Sequence, residues 1–402
     1  ATTPGILTTL SSTVGLALGP SVIAVLSVGP YIIPIQNEFK WTRVQVAFAF
    51  TIVAYMIVLV SPLQGILADK FGPRRVVLTS IPLFAASLAA LYFTPNSLPI
   101  FYLLWAIVPI AAIGLWPLGY LQAVTRWFDR KLGLALGVAN AGIGLGSLLV
   151  PKIVGPIIAQ YSWRHALLAL AGMVLIISWP VVFFFFRLPT AEESASLKRS
   201  AKKVFGLSVA EARQEPTFWV LNVGFFMLGL TATSIVSQQV PLLVEAGWTQ
   251  PQALALQSLF GFGLLFARVA VGFVIDHIFA PRVMTAVSIG GAIGCILYAT
   301  YPSAAYVSAM LIGFLLGAEF DVLAFLIKRY YGNIAYGKIY GVIFGVFYLG
   351  SGLGISGLAW CHDHFKNYNV GLFIAAGVLV TSAVLMLLLP RYRFQTGAES
   401  SS

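Results

Sequence analysis

Residues 65–75 read GILADKFGPRR, a charged, glycine-bearing turn set between two long apolar stretches. A shorter copy, Gly272-Phe273-Val274-Ile275-Asp276 followed by Pro281-Arg282, stands at the matching place in the second half of the chain. A second pair follows in the same order. Arg126-Trp127-Phe128 leads to Gly133 and Gly137, and Arg329-Tyr330-Tyr331 leads to Gly337 and Gly341. Two motifs recurring in order at equivalent loops mark a tandem repeat, a symmetry used by carriers that rock two halves about a central site.

Outside these loops the chain is apolar. Of its 402 residues, 59% are hydrophobic and 9% charged, against about 25% charged in a soluble domain, so it is read as an integral membrane protein. Twelve stretches are long enough to cross about 30 Å of hydrocarbon as helices. They are 9–37, 43–68, 76–94, 98–124, 132–158, 165–187, 217–242, 252–276, 283–301, 305–327, 338–360 and 370–390. The long polar stretch at 188–216 is expected to be a cytoplasmic linker between two six-helix bundles, 1–187 and 217–402. The expected fold is all-α, with twelve transmembrane helices in two pseudo-symmetric halves.

The net charge of +11 follows topology rather than a nucleic-acid surface. With a cytoplasmic N-terminus, eighteen Lys and Arg residues fall on the inner side. Only Lys40, Arg43, Lys152, Arg164 and Lys366 fall outside. The positive-inside rule then places both termini in the cytoplasm of a multi-pass cell-membrane protein. The chain starts without a cleavable signal pattern, and the first span is expected to serve as its own address.

Two cysteines, Cys295 and Cys361, form neither a disulfide framework nor a metal spacing, and no cofactor or metal is expected. His165 and His277 sit at helix ends. His362 and His364 flank Asp363 in what reads as a short solvated outer loop, with a pH-sensitive gate as the minority reading. AGIGLG at 141–146 lies inside an apolar span with no preceding strand, so it is no nucleotide loop.

Arg268, in QSLFGFGLLFARVAVGFVID (257–276), is the one basic residue deep within an apolar stretch. A cation at mid-bilayer costs about 2.5–3.5 kcal/mol on insertion scales, which marks it as functional. Two acids are placed to meet it, Glu319 and Asp321 in LIGFLLGAEFDVLAFLIKR (311–329). At the helical rise, Arg268 lies about 12 Å from the inner end of span eight, and Glu319 and Asp321 lie about 15 and 12 Å from that of span ten. Two residues apart, the acids point to nearly opposite sides of their helix, so one is expected to meet Arg268 and the proton while the other packs elsewhere. A fixed ion pair locking the two spans is the competing reading. Tyr348, Asn140, Tyr120 and Gln122 are further candidates to line the cavity, with Gln64, Gln238 and Gln239 behind them.

GILADKFGPRR resembles the cytoplasmic loop signature of the major facilitator superfamily, and the resemblance covers nearly the whole chain. It implies gating roles for Asp69, Arg74, Arg75, Asp276 and Arg282, and is silent on substrate. PIQNEFKWTR (34–43), RWFDRKLGLALGVANAGIGLG (126–146), and GAEFD with KRYYG (317–321 and 328–332) are similar to the monocarboxylate transporter group and its bacterial relatives. Arg268 falls where that group places its substrate-binding arginine. The oxalate/formate antiporter in the same grouping adds a lysine in span eleven. Here GVIFGVFYLGSG (341–352) puts Phe347 and Tyr348 there and no cation, which argues against a dianion.

The resulting expectation is a monomeric carrier that moves a small monocarboxylate, such as L-lactate or pyruvate, with one proton. A protonated carboxylate releases Arg268 to bind the substrate by a bidentate fork. Anion exchange is the second reading, and a non-transporting sensor of carboxylates the one outside the class. No catalytic constellation is present, so no enzyme is expected.

Overall fold

The computed structural model describes residues 3–128, 132–190, 193, 206–275, 277–332 and 334–394. Among them, eleven helical segments are long and apolar enough to cross a membrane. Large apolar side chains such as Leu59, Leu103, Ile176 and Phe273 lie exposed on the outside of the bundle. Such a belt suits lipid rather than water.

The fourth expected span, 98–124, is not one helix. It is divided into Leu98–Ala111 and Pro117–Trp127 by a turn at 112–116. Gly114 in that turn donates its N–H to Ser80 Oγ at 3.0 Å and leaves no room for a Cβ against the Val76 carbonyl. Pro117 then opens the second helix, where its missing N–H costs nothing.

Span one is likewise broken and starts earlier than expected, as Thr3–Ala17, a π-helical segment Ser21–Leu26, and Gly29–Phe39. Its interruptions fall at Gly19-Pro20 and Gly29-Pro30, where proline removes a donor and clashes with the preceding turn. Span six carries a π-turn, Val174–Ser178, between Trp163–Met173 and Trp179–Phe185.

The remaining spans are single helices: Arg43–Phe71, Pro73–Ala90, Leu132–Gln160, Pro216–Glu245, Gln250–Ile275, Ala280–Thr300, Ala305–Tyr331, Tyr336–Phe365 and Asn369–Leu387. The described part of the linker is tied to one end of the bundle. Arg187 grips Glu193 at 2.8 and 2.9 Å, which with the Thr190 N–H holds that exposed carboxyl down at about 2. Leu207 N–H donates to Tyr331 O at 2.8 Å. A short helix, Val209–Gln214, follows with a Ser208/Glu211 capping box.

Helix pairing repeats with a period of six spans. Span one packs on five as seven packs on eleven, two on four as eight on ten, and three on six as nine on twelve. The seams between the halves swap in the same way, span five against eight and span two against eleven. The internal repeat seen in the loops is therefore also a repeat of packing.

Each seam is a stripe at helical spacing. On span eight the stripe is Leu254, Gly261, Leu265 and Gly272. Away from the linker end these residues meet Gly155, the Ser147–Leu148 backbone and Gly144, where a Cβ would lie 2.7 Å from Leu265. Toward the linker end, positions Gly137 and Gly272 have no atom of the described residues within 4 Å. On the second seam Thr51 Oγ1 donates to Gly352 O at 2.9 Å and Val58 lies 3.7 Å from a Cβ at Gly345. Farther toward the linker end, Gly65 and Gly341 have nothing within 4 Å. Both seams are closed over their distal halves and parted at the linker end.

This asymmetry predicts unequal responses to the same change. Gly261→Val drives a branched side chain into the Ser147–Leu148 backbone and should cost about 1–3 kcal/mol, read as a lower Tm of the purified chain. Gly272→Val, eleven residues on, meets no described atom within 4 Å and should leave Tm close to the parent.

Candidate functional site

Span eight places Arg268 one helical turn beyond Leu265, the last residue of its seam with a close partner across the halves. The guanidinium therefore sits at the apex of the parted cleft. It is 6% exposed. Among the described residues its ion-pair partner is Asp321, with Nη1 to Oδ1 at 3.5 Å. That is longer than the roughly 2.7–2.9 Å of a strong charge-assisted bond. Arg268 Nε has no hydrogen-bond partner among the described residues.

Span ten supplies both acids. Asp321 makes the contact with Arg268, and its side chain is 22% exposed. Glu319 is fully enclosed, and among the described residues neither of its oxygens has a hydrogen-bond partner. It interacts electrostatically with Arg268 and Asp321, while Asp321 makes the contact with Arg268. The structure brings together all three residues singled out from the sequence.

Span eleven completes the surroundings. Tyr348 is buried and interacts electrostatically with Glu319 and Arg268. Tyr340 and Tyr336, which the sequence reading passed over, interact electrostatically with Asp321, and Tyr340 also with Arg268. The available signal was the four-residue recurrence of aromatics in YGKIYGVIFGVFY (336–348).

The other expected lining residues divide. Asn140 is half-buried on span five, on the seam stripe between Gly137 and Gly144, and so borders the cleft. Gln122 is half-buried on the second helix of span four. Tyr120 is a correction. It is fully buried within the N-terminal helices, 5.4 Å from the Phe186 ring and filling the space a Cβ at Gly15 would need. It packs spans one, four and six. Gln64 similarly donates to Trp116 O at 3.3 Å, while Gln239 donates to Tyr298 at 2.8 Å.

Of the gating residues, Arg74 donates to the carbonyls of Phe186 and Phe183 at 2.7 and 2.8 Å, capping the end of span six within its own half. Arg75 and Arg282 are exposed and make no ion pair with a described residue. Asp276 and the side chain of Asp69 lie outside the described residues. Among the described residues no cluster with metal-ligand composition occurs.

The closed distal end carries a cluster whose Arg43 was expected to mark topology and whose His362–His364 stretch was expected to be a solvated loop, with a gate as the minority reading. Arg43 at the start of span two reaches Glu245 of span seven at 3.3 Å and donates to Tyr368 at 2.8 Å. Tyr368 in turn donates to Gln238 Oε1 at 3.0 Å, and Val44 N–H donates to Asp363 at 3.3 Å. His362 lies between Glu245 at 2.6 Å and Asp363 at 3.2 Å. The HDH stretch is thus no loop. It is the last turn of Tyr336–Phe365, and it helps to latch the two halves. Gln257 adds a deeper crossing, donating to Leu26 O at the break in span one at 3.1 Å.

Two helical bundles, seams that close at one end, and an under-paired cation where they part define a membrane transporter. The family model of the Major Facilitator Superfamily matches residues 12–355, and the chain belongs to that family. It is 26% identical over 356 residues to monocarboxylate transporter 13 of Bos taurus, covering 83% of this chain and 77% of the relative. It is 28% identical over 283 residues to the oxalate:formate antiporter of Oxalobacter formigenes, covering 68% and 64%. The fold is similar to that of the nucleoside transporter NupG, with a TM-score of 0.70 at 14% identity over 96% of this chain and 98% of that one.

The distal cluster gives a conformational test. Arg43→Gln removes the cation that bridges the halves, and should expose a cysteine placed at Gly29 to a membrane-impermeant maleimide. The parent background should protect that cysteine, because a Cβ there lies 3.3–3.5 Å from Ser237, Gln257 and Val240. Equal labelling in both backgrounds would remove the latch role.

Proposed function

We propose that the chain carries a small monocarboxylate, such as L-lactate or pyruvate, together with one proton. The halves 1–187 and 217–402, joined by 188–216, rock about Arg268. The observation that carries the reading is the state of Arg268: nearly enclosed, with a single partner at 3.5 Å and Nε unpaired. A guanidinium in that state has a free bidentate fork for a carboxylate. The resemblance to monocarboxylate transporter 13 supports the same choice.

In this reading Asp321 holds Arg268 while the site is empty. Its partial exposure lets a proton reach it from the parted cleft. Protonation frees the fork, and the substrate carboxylate replaces the aspartate. One proton and one anion together add no net charge, so the closed carrier turns over without carrying charge through the low-dielectric middle of the membrane. Glu319, wholly enclosed beside the pair, tunes the exchange rather than meeting the substrate. Asn140 and Tyr348 supply further hydrogen bonds, with Gln122 at the rim. Arg75 and Arg282, with Asp69 and Asp276, act where the linker ends must come together. The carrier works as a monomer in the cell membrane, with both termini in the cytoplasm.

Exchange of organic anions without a proton is the alternative, supported by the likeness to the oxalate:formate antiporter. A dianion is poorly served, because span eleven offers no second cation at 341–352.

Proteoliposome uptake separates these readings. Arg268→Ala should lower gradient-driven uptake of L-lactate and pyruvate at least about a hundredfold, the loss of a buried charged hydrogen-bond pair. Asp321→Asn should abolish proton-driven accumulation and keep exchange against preloaded substrate, while Glu319→Gln keeps accumulation at a reduced rate. Uptake retained in Arg268→Ala would remove the site. Accumulation retained in Asp321→Asn but lost in Glu319→Gln would transfer the proton role.

A further inference from the structure

Span eleven presents Tyr336, Tyr340, Phe344 and Tyr348 at four-residue spacing, which stacks side chains one above the next along a helix. The Tyr336 and Tyr340 ring centroids are 6.2 Å apart, those of Tyr340 and Phe344 5.7 Å, both with planes within 23°. Phe344 and Tyr348 are 4.9 Å apart. Phe320 of span ten supports the stack from behind, 5.1 Å from Phe344 and 5.0 Å from Phe347. The result is a braced aromatic ladder about 18 Å long at the helical rise.

The ladder starts at the charged site and runs out along the parted seam. Tyr348 is buried beside Glu319 and Arg268, while Phe344, Tyr340 and Tyr336 are half-buried toward the linker end. Phe320, which packs 5.1 Å from Phe344, stands between Glu319 and Asp321 in span ten, so the ladder runs alongside the element that carries both acids.

We infer that this ladder is the wall against which the substrate's tail lies, and that the site, while it carries small monocarboxylates, binds those with a flat aromatic or conjugated tail more tightly than small hydroxy acids. The inference rests on Arg268 binding a carboxylate. A carboxylate on the Arg268 fork has the polar Asp321 and Glu319 of span ten on one side, where an apolar tail would gain nothing and would cost them solvation. The open direction is the parted seam, which the ladder borders. A planar ring laid against it gains offset or edge contacts with the tyrosine and phenylalanine rings as well as buried area. A hydroxyl-bearing chain of two or three carbons gains neither.

The test is calorimetric titration of the purified full chain with benzoate, acetate and L-lactate, in the parent and in Phe344→Leu, Tyr340→Phe and Arg268→Ala. Benzoate should bind the parent at least about tenfold more tightly than acetate or L-lactate. Phe344→Leu, which keeps an apolar side chain of similar size, should cut that preference to about threefold or less without weakening acetate. Tyr340→Phe should keep it, and Arg268→Ala should lose all three ligands. A parent that binds benzoate no tighter than acetate, with both lost in Arg268→Ala, overturns the ladder and leaves the carboxylate site standing. A preference unchanged in Phe344→Leu makes the stack mere packing and also overturns it. Benzoate binding retained in Arg268→Ala overturns the ladder and the carboxylate site together.

Discussion

A guanidinium at 6% exposure, held by one carboxylate at 3.5 Å, is an unsettled charge in the middle of an apolar bundle. Isolated burial of a cation is too costly to persist without compensation. Compensation comes from span ten, which brings Asp321 into contact and Glu319 into range, and from the tyrosines of span eleven. None of these closes the fork completely. The surrounding helices can thus be understood as a scaffold that keeps Arg268 dry, fixed in depth and short of one anion.

The scaffold also makes the charge reachable from one side. Small residues on the seam stripes let backbones touch across the halves at Gly144 and Gly261 and let the Tyr55 ring lie against Gly352. The same stripes continue past Arg268 to Gly137, Gly272, Gly65 and Gly341, where nothing yet touches them. Glycines at both ends allow the contact to be exchanged rather than lost when the halves rock. At the distal end the Arg43–Glu245 pair, Tyr368 and the Val44–Asp363 bond hold the present closure. That closure is polar and partly exposed, and such pairs contribute only about 1 kcal/mol or less each, as a gate that must open requires.

Much of this was legible beforehand. Loop repeats at 65–75 and 272–282 announced two halves, and the rise of a helix brought Arg268, Glu319 and Asp321 to one level. What failed has physical causes. An unbroken apolar run hides a chain break, so the turn around Gly114 and the divided first span were read as continuous helix. Tyr120 has the composition of a cavity residue, and only packing against Phe186 and Gly15 reveals it as core. The distal latch joins residues more than three hundred positions apart, Arg43 to Tyr368, a pairing that local pattern does not encode. The tyrosine ladder was visible as spacing, but its significance depended on knowing that it passes Arg268.

The central claim is that one proton and one carboxylate move together through this under-paired charge. Proteoliposomes loaded with a pH-sensitive dye, with membrane potential clamped, allow proton entry and uptake of labelled pyruvate to be recorded at once. The account predicts one proton for each pyruvate, at a rate that does not change with potential. Uptake that moves no protons, or that follows the imposed potential, would contradict it.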